Sequence, residues 1–178
     1  MSLTNTIAHR KASQVRIMIF DVDGVLTDGR MQYNADGEAQ KSFHVHDGLG
    51  IQLLHKMGIA TAIISARQTP IVNKRATDLG ITYVYQGNHD KRVTFAQLLS
   101  DTGVAAHDCG FMGDDIIDLP LFSKVGFAVS VPNGHPEAIS RADYVTSASG
   151  GLGAVREICD FILRAQNKYD AALAPYLE

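Results

Sequence analysis

The run Ile17-Met18-Ile19-Phe20 is apolar without alternation, and it ends in Asp21-Val22-Asp23-Gly24. A short continuous apolar run reads as a strand buried on both faces, inside a parallel sheet covered by helices on either side. Such a sheet keeps its chemistry at the carboxyl ends of its strands. There this strand delivers two carboxylates, at i and i+2, into a glycine-bearing loop. Neighbouring carboxylates repel when both are ionised, so the pair calls for a divalent cation, a shared proton, or both. One aspartate can then attack while its neighbour handles protons.

The rest of the chain repeats the rhythm. Strand-like runs at 15–20, 59–64, 82–85, 109–112, 126–129 and 144–145 alternate with helical periodicity at 48–57, 70–79, 90–99, 115–122, 136–141 and 152–166. This order predicts an α/β fold, a doubly wound and mostly parallel sheet with right-handed crossovers. Pro70 and Gly80 bracket one helix as an opening proline and a closing glycine should. In the last helix Leu152, Val155, Ile158, Cys159 and Ile162 share a face. At 178 residues the chain suits one domain over 1–178, long enough to bury roughly 70% of its unfolded surface.

One stretch breaks the pattern. Between 29 and 44 the alternation runs through Met31, Tyr33, Ala39, Lys41 and Phe43, with Asn34-Ala35-Asp36-Gly37 as turn chemistry at its middle. That is a β-hairpin inserted after the first strand. A lone hairpin is marginal in water, so this one is expected to pack its apolar side chains on another subunit. The alternative is that it folds back on its own domain.

Composition narrows the partners. With 46% hydrophobic residues and a formal net charge of −3, the chain has no electrostatic case for binding nucleic acid, and an acidic substrate must be captured locally. Cys109 and Cys159 form no C-x-x-C pattern, which suits free thiols in a reducing compartment. Residues 1–13 lack the apolar core of a signal peptide, and no stretch holds the ~18 consecutive apolar residues of a membrane span. The expected setting is cytoplasmic, away from membranes.

Three further segments stand at strand ends. Ser65 follows the apolar run 59–64 and precedes Ala66-Arg67; it reads either as a helix N-cap or as a hydroxyl for a phosphate oxygen. Lys91 opens a helix, where a cation gains nothing from the dipole; it reads either as a solvated surface lysine or as a site cation. Gly113-Asp114-Asp115-Ile116-Ile117-Asp118 sets three carboxylates in a strand-to-helix junction, a density that suits a hard cation. His44 and His46 lack further soft ligands, so zinc is disfavoured.

The order Asp-x-Asp, Ser, Lys, Gly-Asp-Asp-x-x-Asp resembles the haloacid dehalogenase superfamily of phosphohydrolases. The resemblance implies a Rossmann-like core, Asp21 as nucleophile forming an aspartyl-phosphate, and Asp23 as the acid and base. It also implies Mg2+ held by the Asp21 carboxylate, the Asp23 main-chain carbonyl and the Asp114 carboxylate, with Asp115 or Asp118 supporting, and Ser65 and Lys91 on the phosphoryl oxygens. The intervals between the motifs are too short for a cap domain, since domains usually need 50 residues or more.

Phe20 to Gly29, Phe43 to Ile51, Leu79-Gly80-Ile81, Tyr85-Gln86-Gly87 and Gly151 to Glu157 are similar in detail to the capless, tetrameric 3-deoxy-D-manno-octulosonate 8-phosphate phosphatases of lipopolysaccharide sugar synthesis. That likeness implies a homotetramer whose hairpins form a central barrel. It further implies a sugar-phosphate substrate contacted by Asp23, His44, Val45, His46, Asp47, Gly48, Arg67, Arg75 and Lys91. Arg67 and Arg75 would offer guanidinium forks to a sugar carboxylate. Ala66 stands where the family commonly has Gly. Phosphatases of nine-carbon, sialic-acid-type ketoacids share the catalytic motifs and remain the alternative substrate class. A phospho-accepting receiver module is disfavoured by motif order, because receivers place the acidic metal pair before a separate phosphoacceptor. A catalytically idle partner subunit is the remaining alternative.

Overall fold

A computed structural model describes residues 3–178, with the side chains of 3–5, 38 and 39 excepted. Six strands form one sheet: β1 (Ile17–Phe20), β4 (Ala60–Ser65), β5 (Tyr83–Gln86), β6 (Cys109–Met112), β7 (Phe127–Ser130) and β8 (Tyr144–Val145). The spatial order is β5-β4-β1-β6-β7-β8, and every neighbouring pair is parallel. Sequence order therefore reverses beside β1, and the crevice between the carboxyl ends of β1 and β6 is the topological switch point of a doubly wound sheet.

Both faces of the sheet are covered, which explains why β1 is apolar at every position. Met18 and Phe20 point into a core built with α1 (Leu3–Ala12), α2 (Val45–Lys56), α3 (Pro70–Leu79), α7 (Ala154–Ala165) and α8 (Tyr169–Leu173). Ile17 and Ile19 point the other way, onto α4 (Lys91–Thr102), α5 (Leu119–Phe122) and α6 (Pro136–Arg141). Successive strand residues alternate between faces, so one short run serves two cores. Ile158 on α7 is fully buried; truncation to Ala there would cost about 2–5 kcal/mol.

Local signals explain the helix ends. Thr69 caps α3, its hydroxyl accepting from the Ile71 N–H at 3.3 Å, with Pro70 in the first turn and Gly80 closing at φ 75°. At Gly50 a Cβ would meet Arg156 Cδ and Cys159 Cβ at 3.1 Å, so the missing side chain lets α2 lie close against α7.

The hairpin has its expected turn. Its strands are β2 (Gln32–Asn34) and β3 (Gly37–Gln40), paired with each other and separate from the main sheet. Tyr33 is 60% exposed. Phe43 differs from the expected display: it lies beyond β3, packed partly against its own core with the Arg75 guanidinium 5.4 Å above its ring. Ala39 lies outside the described side chains.

Two further expectations need correction. Leu152 is 64% exposed and precedes α7, which opens at Ala154, so it is not part of that helix's buried face. The segment expected as one helix over 115–122 is a single 3-10 turn, Ile116–Asp118, followed by the short α5. Helix α1 has no strong apolar stripe in the sequence: among its described side chains, Ala8 and Ala12 are the ones in the core. Among the described residues no helix is long and apolar enough to cross a membrane.

Candidate active site

Asp21 stands one residue past β1, and its N–H still donates to the Met112 carbonyl of β6 at 3.0 Å. The chain then curls through residues 22–26 and closes with the Thr27 N–H on the Val22 carbonyl at 3.0 Å. The Thr27 hydroxyl accepts from the N–H groups of Gly24, at 3.4 Å, and Gly29, at 3.3 Å. Gly24 is required twice over. Its φ is 98°, and a Cβ there would fall 2.1 Å from Asp114 Oδ2.

Asp114 approaches from β6 across the switch point. The His135 N–H holds its carbonyl at 2.7 Å. Asp118, fully buried, accepts from the N–H groups of Asp114 at 2.9 Å and Asp115 at 3.1 Å through Oδ2, while Oδ1 takes Lys91 Nζ at 2.5 Å. Lys91 Nζ also lies 2.9 Å from Asp21 Oδ1, and its side chain is wholly buried. The surface-lysine reading of Lys91 is thereby excluded. Burial works against its ammonium, but the Asp21 and Asp118 charges outweigh that and raise its pKa.

Three carboxylates, those of Asp21, Asp114 and Asp118, each offer an oxygen within 4.8 Å of the others. With Lys91 as their shared cation, the full set would carry a formal charge of −2 when ionised, the complement of one divalent ion. Burial, with Asp118 adding to it and Lys91 opposing, pushes the Asp21 carboxyl up to about 7. Burial followed by the charges of Asp21, Asp118 and Asp115 pushes Asp114 up to about 8.

A hard divalent cation fits these groups. Asp114 Oδ1 is buried without a hydrogen-bond partner, the donors are all carboxylate oxygens, and both oxygens of Asp118 are already engaged. Asp21 and Asp114 are therefore the available ligands, with Asp118 holding the frame. The cluster contains neither His nor Cys, the ligands zinc prefers.

Above it lies a cavity of about 230 Å3 lined by Asp21, Asp23, Ser65, Ala66, Arg67, His89, Asp114, Asp115 and Ile117. Ser65 ends β4 and does not cap α3, because Thr69 does. Ala66 carries no strain, since Asn167 is the only non-glycine residue at positive φ among the described residues. Arg67 is 49% exposed, with Nε 3.8 Å from Asp23 Oδ2 and Nη1 donating to the Tyr33 hydroxyl at 3.0 Å.

The segment His44 to Gly48 lies at the start of α2 and does not line this cavity. His44 caps the helix, Nδ1 accepting from the His46 N–H at 3.3 Å, and Val45 is 74% exposed. Asp47 reaches away, to the start of α7, where Oδ1 accepts from the Arg156 N–H at 2.8 Å. Arg75 packs there too. Its Nη2 donates to the His44 carbonyl at 3.4 Å, and a Cβ on Gly48 would stand 2.6 Å from that nitrogen.

Two residues at the site escaped the sequence reading. His89 lies in the loop before α4, and nothing in its pattern marks it. The Lys41 side chain is 1% exposed and forms an ion pair with Asp23 Oδ1. Its signal was present: a lysine in the apolar phase of the hairpin alternation faces inward, and a buried cation needs a partner.

The family profile described as haloacid dehalogenase-like hydrolase matches residues 76–158. The 3-deoxy-D-manno-octulosonate 8-phosphate phosphatase of Escherichia coli is 46% identical over 162 residues, 91% of this chain and 86% of that protein. The chain belongs to this phosphatase family of haloacid dehalogenase-like hydrolases. Among solved structures, a probable YrbI family phosphatase from Pseudomonas syringae superposes with a TM-score of 0.95 at 41% identity, covering 97% of this chain and 98% of that one. The 3-deoxy-D-manno-octulosonate 8-phosphate phosphatase from Moraxella catarrhalis, in complex with magnesium ion, phosphate ion and KDO, superposes at 0.92 with 42% identity, covering 97% and 98%. The curl at 22–26, the hairpin and α2 fill the interval between β1 and β4, too little chain for an inserted cap domain.

Proposed function

We propose that this chain is a Mg2+-dependent phosphomonoesterase that hydrolyses 3-deoxy-D-manno-octulosonate 8-phosphate to the free sugar acid and phosphate, a step of lipopolysaccharide sugar synthesis. The observation that carries the reading is Asp21 seated on the buried Lys91, beside the unpartnered Asp114 oxygen, at the floor of the cavity.

The reaction uses this chain's residues as follows. Asp21 attacks phosphorus in line, the bond to the sugar oxygen breaks, and Asp23 gives that oxygen a proton. Asp23 then takes a proton from the water that attacks the aspartyl-phosphate, and Asp21 leaves as a carboxylate. The Lys91 charge opposes the burial that raises Asp21 and so favours its carboxylate form for attack, and Ser65 and Lys91 compensate the phosphoryl oxygens. Bound Mg2+, held by Asp21, Asp114 and the Asp23 carbonyl with Asp115 or Asp118 in support, supplies further charge compensation and alignment.

Substrate contacts are assigned to Arg67, for the ketoacid carboxylate, and to His44, Val45, His46, Asp47, Gly48 and Arg75, which a neighbouring subunit would bring to the mouth of the site. This requires assembly. The exposed hairpin supports a homotetramer built through it, with residues 1–178 acting as one phosphatase domain in the cytoplasm.

The test is kcat/KM for the eight-carbon ketoacid 8-phosphate against a nine-carbon sialic-acid-type 9-phosphate and 4-nitrophenyl phosphate. The eight-carbon ester is expected to lead, and Arg67→Ala is expected to lower it about 10²-fold while affecting 4-nitrophenyl phosphate far less. Preference for the nine-carbon ester would assign the other substrate class. Equal losses on both esters would remove the carboxylate role of Arg67.

A further inference from the structure

Asp23 is held from two sides by groups tied to the hairpin. Its Oδ1 carries the ion pair with Lys41, which follows β3 and whose side chain is 1% exposed. Its Oδ2 faces Arg67 Nε at 3.8 Å, and Arg67 is in turn held by the Tyr33 hydroxyl of β2 at 3.0 Å. The Asp23 side chain is 21% exposed, so it reaches the cavity from a base that is fixed on the protein side. A carboxylate free to rotate would find the leaving oxygen only part of the time, and misplacement by about 1 Å can cost about 10²-fold in rate.

We infer that Lys41 is a positioning residue for the acid and base of this phosphatase: it fixes the Asp23 carboxylate toward the leaving oxygen and toward the hydrolytic water, and so makes proton transfer depend on a seated hairpin. The inference rests on the assignment of Asp23 as the proton donor and acceptor. Asp23 lines the cavity; Lys41 does not. Its buried cation balances the carboxylate while leaving the exposed edge of Asp23 to the cavity. The hairpin thus has a task inside its own subunit besides any contact it makes with another.

The two half-reactions separate this role from a general structural one. Breaking the P–O bond to 4-nitrophenolate needs no proton, because that leaving group departs as a stable anion. Breaking the bond to an alkyl oxygen needs one, and so does the deprotonation of water in the second step. Rapid-mix kinetics of the Mg2+-loaded enzyme with Lys41→Met should therefore show a burst of 4-nitrophenolate at near wild-type rate. A steady state slowed about 10²-fold should follow. Turnover of a simple alkyl phosphate should fall by about 10²-fold in kcat with KM within threefold. If Lys41→Met does not fold, Lys41→Gln, which keeps a donor at the same depth without the charge, is read in the same way.

Loss of the burst in parallel with steady-state turnover would overturn the inference in favour of a structural role, and wild-type kinetics on both esters would overturn it outright. Asp23→Asn separates this from the reading beneath it. If Asp23→Asn is itself active on the alkyl ester, the acid and base assignment fails; if it is inactive there while Lys41→Met is unimpaired, only the inference about Lys41 fails.

Discussion

Lys91 and Asp118 form a fully buried ion pair at 2.5 Å beneath Asp21. The pair joins α4 to the loop after β6, and Asp118 in turn fixes the amides of Asp114 and Asp115. Removing one member strands the other in a low-dielectric site. Lys91→Met is expected to abolish turnover and to lower unfolding stability by about 3–5 kcal/mol at neutral pH. Adding Asp118→Asn should recover part of that stability without restoring activity, because the stranded charge is gone while the site cation is still missing. Urea titration of the three proteins checks this. A single variant as stable as wild type would contradict the pairing.

The acidic cluster links metal, protons and stability. In the metal-free protein Asp21 is raised from 3.8 to about 7 and Asp114 from 3.8 to about 8. The native state then binds these protons more tightly than the unfolded chain does. Their contribution to stability is present below about pH 4 and is lost as pH rises through about 7 to 8. Mg2+ takes the place of those protons. The Tm increase produced by a fixed Mg2+ concentration should therefore be small at pH 5, grow toward pH 8 and level off above it. Differential scanning calorimetry across that range reads the effect; the same Mg2+ shift at pH 5.5 and pH 8.5 would rule the cluster out as the metal site.

Assembly gives an independent check. Tyr33 stands on β2 with most of its surface exposed, in a hairpin that pairs with no strand of the main sheet. If the hairpin is the contact of the proposed tetramer, Met31→Lys combined with Tyr33→Lys should place charges in it and yield smaller species by light scattering, with weakened turnover of the sugar phosphate. An unchanged tetramer, or a fully active monomeric wild type, would take the interface away from the hairpin.

The acidic cluster of this site was legible because its residues sit in contiguous motifs at strand ends. A continuous apolar run sets Asp21 at a sheet edge, and topology alone brings it beside Asp114. Asp118 was visible only as a supporting acid; that it braces Lys91 depends on α4 and the loop after β6 meeting across the sheet, a contact between residues 27 apart. Lys41 could be read from its phase in the hairpin, yet its partner could not, because the curl at residues 22–26 decides where Asp23 points. Asp47 entered the reading only through the family resemblance; that it also braces the start of α7, accepting from Arg156 109 residues away, is a contact between distant segments that no local pattern carries. Helix α1 went unseen for a different reason: among its described side chains Ala8 and Ala12 face the core, too weak a stripe for periodicity to register. Leu152 was over-read because an apolar residue in phase with a helix need not lie within it.

The most direct measurement of the central claim is the initial rate of phosphate release from 3-deoxy-D-manno-octulosonate 8-phosphate at saturating Mg2+, for wild type and for Asp21→Asn. One atom differs between the two side chains, and an amide cannot serve as the nucleophile. Wild type is expected to turn over, with activity lost to EDTA, and Asp21→Asn to fall by at least about 10³-fold with unchanged circular dichroism. Asp21→Asn within tenfold of wild type, or a wild type that releases no phosphate from this ester, would contradict the account.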